Sequence, residues 1–150
     1  MQDQAKVKVN PTTRHVLSIR PDQEDDDAVT TMLTTPVWTL HQAGCLRAAL
    51  SQIRKHPISV VLCERDLAPG TWVDVLETLK LLDHAPPLIV TSRLADDRLW
   101  AEALNLGAYD VLAKPFDLEE LNRTLNLAFL HWHHSHDEVG AVPKVRVASR

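Results

Sequence analysis

Short apolar runs alternate along this chain with longer stretches of helical spacing. The runs His15–Ile19, Val37–His41, Ile58–Cys63, Leu88–Thr91 and Tyr109–Ala113 each have the length of a strand, and three are dominated by Val, Ile and Leu. Runs of that kind belong to strands covered on both faces. Between them, Leu46, Ala49, Leu50 and Ile53 recur at i, i+3, i+4 and i+7, which predicts a helix with one apolar stripe. Trp72, Leu76 and Leu79 predict another after the Ala68-Pro69-Gly70 turn. Leu99, Ala103 and Leu106 line a third, with Gly107 placed to end it as a C-cap. Leu118, Leu121, Leu125 and Phe129 share the face of the last, which Asp117 opens as N-cap with Glu120 as its capping-box partner. A further helix is predicted early in the chain, where Asp25, Asp26 and Asp27 favour an N-terminus and Val29, Met32 and Leu33 form a short stripe before Pro36. Five strands alternating with five helices imply right-handed crossovers and a parallel sheet with helices on both faces.

The chain's 150 residues suit one domain. Residues 1–13 are polar and non-periodic and read as a flexible lead-in, 14–132 as the domain, and 133–150 as a polar tail after periodicity is lost. With 16 Lys and Arg against 20 Asp and Glu, the net charge of −4 argues against a nucleic-acid binder, which needs a basic face. The longest apolar runs fall far short of the roughly 20 residues that span a bilayer. No apolar segment follows a basic start, so a secretory signal is not expected. Two cysteines, Cys45 and Cys63, make no disulfide framework and suit a cytoplasmic location.

In an open parallel sheet, ligands bind at the carboxyl ends of the strands. Strand one ends in Ile19, followed by Arg20, Pro21 and Asp22. Strand three ends in Cys63 and Glu64, followed by Arg65 and Asp66. Strand four ends in Thr91 and Ser92, and strand five in Ala113 and Lys114, followed by Pro115. An acid, a hydroxyl, an ammonium and a guanidinium thus point at one place.

From about His15 to Trp132 the chain resembles a response-regulator receiver domain, the phosphoacceptor module of two-component signalling. The stretch PLIVTSRLADDRLWAEALNLGAYDVLAKPF, Pro87 to Phe116, carries most of the likeness, and VVLCERDLAPG resembles the strand and turn around the phosphorylated aspartate. The resemblance implies a flavodoxin-like doubly wound sheet of order 2-1-3-4-5. It places Ser92, counted back from Gly107, on the phosphoryl-contacting hydroxyl, Lys114 on the family's lysine, and Pro115 on a proline whose preceding bond is usually cis.

The departures bear on function. Aligning the turn through Leu67 and Gly70 puts Glu64 at the acceptor aspartate's place, and counting back from Pro69 puts Arg65 there. The two acids that hold magnesium in the family read here as Arg20 and Pro21, with Asp22 and Glu24 to Asp27 further on. Acyl-phosphate chemistry needs a carboxylate in line with the phosphoryl group and a metal to neutralise charge. Proline is no ligand, and arginine is a competing cation. The reading is therefore a degenerate, stand-alone pseudo-receiver of bacterial signalling that is no enzyme. Glu64 would be held by Lys114, Ser92 and Arg20, with no cofactor and no metal. A structural Glu64–Lys114 ion pair without signalling content is the plainer alternative. A working magnesium-dependent phosphoacceptor using Glu64 or Asp66, with Asp22 or Asp66 as metal ligand, is another. A small-molecule binder in the same crevice is a third.

The family pairs through its fourth helix, fifth strand and fifth helix. This makes Asp96–Leu106, Tyr109–Ala113 and Asp117–Leu130 the expected face for a protein partner or homodimer, with a histidine kinase as a further possible partner. Trp72 and Trp100 read as half-buried anchors. Val111 stands where the family's aromatic switch residue would be. His131, His133, His134 and His136 could ligate zinc or nickel, though a mobile helix end is the favoured reading.

Overall fold

The computed structural model describes residues 14–21, 29–30 and 37–141, with side chains to residue 134. Five strands, β1 (Arg14–Ile19), β2 (Trp38–Ala43), β3 (Ile58–Glu64), β4 (Leu88–Ser92) and β5 (Asp110–Ala113), form one sheet of order β2-β1-β3-β4-β5. Every neighbouring pair is parallel. Four helices are described: α1 (Leu46–Lys55), α2 (Trp72–Leu79), α3 (Asp97–Leu106) and α4 (Leu118–Ala141). The helix expected after the acidic run is described only at Val29 and Thr30, both helical; the rest of it, the lead-in and residues 142–150 lie outside the described residues.

Pleating divides the core in two. Leu17, Ile19, Val61, Cys63, Leu88, Val90 and Val111 face α1, α2 and α3, where Ala49, Trp72, Val75, Leu76, Leu79, Leu99 and Ala103 meet them. Val16, Val60, Leu62, Ile89 and Leu112 face the opposite layer, with Leu121, Leu125, Ala128 and Phe129 of α4 and with Val29. The central strands are therefore apolar on both faces, which is why their sequences do not alternate. On the α4 side, the Arg14 guanidinium lies over Phe129 at 4.3 Å and bonds to Asn126, fastening the start of β1 to the helix.

Helix ends follow local chemistry. The Thr71 hydroxyl accepts from Val73 N–H while Asp74 Oδ2 accepts from Thr71 N–H at 2.9 Å, a reciprocal cap that the sequence reading did not contain. Gly70 before it has φ +95°, and an added Cβ would stand 2.4 Å from that same Asp74 oxygen. Asp117 Oδ1 accepts from the N–H groups of Glu119 and Glu120, and Gly107 ends α3 at φ +111°.

Three expectations need correction. Leu118 does not share the buried face of α4: it is 50% exposed, and Thr124 and Ala128 complete that face with Leu121, Leu125 and Phe129. Trp72 is fully buried rather than half-buried, whereas Trp100 is half exposed. The last helix runs on to Ala141, past the boundary placed at Trp132, because no proline or glycine interrupts it before Gly140. The loss of apolar spacing there was not a helix stop.

The contrast within α4 is measurable. Leu125→Ala should cost about 2–5 kcal/mol, and Leu118→Ala less than about 0.5 kcal/mol, in urea unfolding.

Candidate functional site

The carboxyl ends of β3, β4 and β5 bring Glu64, Thr91 and Lys114 together. Parallel register sets Glu64 opposite Thr91, and alternation along β5 puts Lys114 in phase with Leu112. All three therefore rise from the face that α4 covers. Lys114 Nζ donates to Glu64 Oε1 at 2.9 Å, and Thr91 Oγ1 donates to the same oxygen at 3.2 Å. The Lys114 side chain is 8% exposed and that of Glu64 19%, so the pair is largely removed from water. A charge-assisted bond in that setting holds its geometry far better than a surface pair.

Ser92, expected on Glu64, is buried, and its hydroxyl accepts from Leu94 N–H at 3.0 Å. The reason is pleat parity: Ser92 follows Thr91 and so projects to the opposite face. Alternation from Ile89 along LIVTS, rather than counting back from Gly107, was the signal that could have found Thr91. Arg20 follows β1, its main-chain N–H donating to Ala43 O at 3.0 Å, in phase with Val16 and Ser18. The groups brought onto Glu64 among the described residues are Lys114 and Thr91. Asp66 stands in the turn, its side chain 75% exposed, and pairs with Arg65 at 3.2 Å. Arg65, the other candidate for the acceptor's place, therefore faces Asp66 rather than the strand-end cluster. The Lys114–Pro115 bond is cis, as is Ala68–Pro69. Behind the site, burial pushes the Cys63 thiol up and the Glu64 charge adds to the shift, so Cys63 is a poor nucleophile.

Magnesium needs several carboxylate or water oxygens in octahedral array. Glu64 Oε1 already takes an ammonium and a hydroxyl, Asp66 Oδ2 takes a guanidinium, and the end of β1 supplies Arg20 and Pro21. Among the described residues no group of three His, Cys, Asp or Glu is placed to hold a metal ion. These residues do not fit the ion; Asp22 and Glu24 to Asp27 lie outside the described residues. The side chain of His136 does so as well, while His131, His133 and His134 stand on α4, with the His131 ring 5.5 Å from that of Tyr109 and the His133 ring 5.8 Å from that of Phe129.

Lys114→Met should destabilise the fold by about 3 kcal/mol, since it strands the Glu64 carboxylate, and adding Glu64→Met should restore most of the loss. Asp66→Asn should stay within about 0.5 kcal/mol. Urea unfolding of the three variants checks the series.

Comparison with known proteins bears on the family and the fold. The transcriptional regulatory protein ZraR of Escherichia coli is 34% identical over 96 residues, which cover 64% of this chain and 22% of that protein. KdpE of Mycobacterium tuberculosis is 35% identical over 86 residues, 57% of this chain and 36% of its own. The chain thus spans well under half the length of either relative. Among solved structures, the signal receiver domain of an HD domain-containing protein from Pseudomonas fluorescens superposes with a TM-score of 0.72 at 24% identity, covering 81% of this chain and 98% of that one. The chemotaxis response regulator CheY4 of Vibrio cholerae gives 0.68 at 20% identity, covering 78% and 99%. No described helix is long and apolar enough to cross a membrane. The response regulator receiver domain model matches residues 17–126, and the chain belongs to that family.

Proposed function

We propose that this receiver domain is a pseudo-receiver, in which Glu64 takes the acceptor aspartate's place and signals by protein–protein contact without phosphorylation of its own. The observation that carries the reading is the 2.9 Å bond from Lys114 to Glu64, made on an oxygen that Thr91 also occupies. A lysine at this strand end would otherwise be available to a phosphoryl oxygen. Here it already has a fixed anion one methylene longer than aspartate, and the pair needs no metal to balance it. Val111 supports a static module: it is a buried core residue at the place expected for an aromatic switch, and it has no ring to swing.

Such a domain is a binding module rather than an enzyme, and it works in the cytoplasm through a protein partner or a second copy. The face formed by α3, β5 and α4 supports this, because Trp100 and Leu118 leave apolar surface exposed beside the mixed charges Asp96, Asp97, Arg98, Glu119 and Arg123. A histidine kinase is the upstream contact to test.

Incubation with a small acyl-phosphate donor and magnesium should leave the intact mass unchanged, and a millimolar magnesium titration should give no saturable tryptophan response. A phosphoryl group mapped to Glu64 or Asp66 would establish the working phosphoacceptor instead.

A further inference from the structure

Three histidines meet on the α1 side of the sheet, away from the Glu64 cluster. His15 lies near the start of β1, His41 on β2, and His56 follows α1 as its C-cap, its N–H donating to Gln52 O. His15 and His41 alternate in phase with Leu17 and Ala43, which face α1. His15 Nδ1 and His41 Nε2 are 3.0 Å apart, with ring centroids 5.3 Å apart and planes inclined by 15°. The centroid separation exceeds the N···N distance by two ring radii, so both nitrogens lie close to the line joining the ring centres. That is an in-plane N–H···N hydrogen bond. A metal ion ligated linearly by both would hold the nitrogens about 4 Å apart, at a metal–nitrogen distance of about 2 Å each, and a tetrahedral one would bend the line. The His56 ring lies face-on over His41 with centroids 4.1 Å apart, and 6.4 Å from His15.

The charged residues of the elements that carry this stack are all cations. α1 brings Arg47, Arg54 and Lys55, and has no Asp or Glu; neither have β1 or β2. Arg14 of β1 projects to the other face, over Phe129. β3 contributes Ser59, whose hydroxyl donates to His15 O at 3.1 Å, and its one acid, Glu64, is at the far end beside Lys114. Any proton added to the stack therefore meets cations and no carboxylate on these elements.

We infer that His15, His41 and His56 form a proton-sensitive latch that fastens the edge strand β2 and the end of α1 to β1, closed when neutral and released in acid. The neutral His15–His41 pair shares one proton along its N···N line. A first added proton leaves one donor and one acceptor, a second sets N–H against N–H, and a proton on His56 adds a like charge across the 4.1 Å stack. Burial, then His56, then His15 hold His41 down to about 4 from the usual 6.5, and burial and His56 lower His15 as well. The folded state thus binds fewer protons than the unfolded one across this window. The latch contributes fully above pH 6.5 and is lost as pH falls toward 4.

The experiment is a ring-nitrogen NMR titration of the full chain, with amide exchange corrected for its intrinsic pH dependence. His41 should titrate near pH 4. From pH 7 to 4.5, β2 and α1 amides should lose about tenfold more protection than those of β4 and β5. His41→Gln keeps a hydrogen-bonding group that does not titrate, and it should abolish that selective loss. A His41 midpoint at or above 6.5, or equal losses in all strands, would overturn the latch. If the variant does not fold, the wild-type midpoint and exchange pattern decide.

Discussion

A parallel sheet covered on both faces leaves each strand-end residue one choice of side, and that parity decides what this site can do. Glu64, Thr91 and Lys114 fall on the α4 face because Val60, Leu62, Ile89 and Leu112 precede them in phase within the core. Moving any of these strands by one residue would bury a charge in the apolar layer or lift an aliphatic core residue into the crevice. The ion pair is thus a product of the same register that packs the hydrophobic core. It cannot be relocated without unpacking Leu121 and Leu125 from their side of the sheet.

Most of the architecture was legible in the chain. Strand-length apolar runs and i, i+3, i+4 spacing place all five strands and the four described helices, since periodicity reports directly which faces are buried. Boundaries were harder. In HWHHSHDEVGA only Trp132 continues the stripe of Leu121, Leu125 and Ala128, packing against that core layer, yet α4 runs on to Ala141. Leu118 fits the apolar stripe by spacing, but it stands in the first turn, next to the Asp117 cap, and remains half exposed. At the site, Glu64 and Lys114 could be read from strand ends. The hydroxyl could not, because Thr and Ser adjoin and only pleat phase separates them. The histidine stack was invisible for another reason: positions 15, 41 and 56 come together only once the 2-1-3 strand order exists.

The Glu64 cluster and the histidine stack sit on opposite faces of the sheet and differ in their electrostatics. At the carboxyl end, an anion and a cation satisfy one another at 2.9 Å. In the histidine stack the elements that carry the rings, β1, β2 and α1, bring no acid, and burial disfavours the charged forms of His15 and His41. β1 and β3 run between them, and the Ser59 hydroxyl on the His15 carbonyl ties these two strands where the register shifts between His15 and Val16. Rearrangement of the stack would be felt first by β2, which has a neighbour on one side only.

On the proposed reading, the fixed ion pair also explains why this domain needs no switch. A ligand or modification moves a two-state equilibrium only by the difference in its interactions with the two states. In a phosphoacceptor that difference comes from new anionic oxygens reaching the strand-end lysine and hydroxyl. Glu64 already offers both of them an anionic oxygen, so the interaction is present from folding onward and leaves no increment for a signal to add. The far end of such a relay would be an aromatic ring that changes packing, and Val111 instead lies in the core with Leu88, Val90 and Ala103 as members of the same cluster. A small branched side chain there has one buried arrangement. On that reading both ends of the conduit are closed, one by charge already paired and the other by a core side chain with no ring to move, and what the domain would pass on resides in which partner engages its surface.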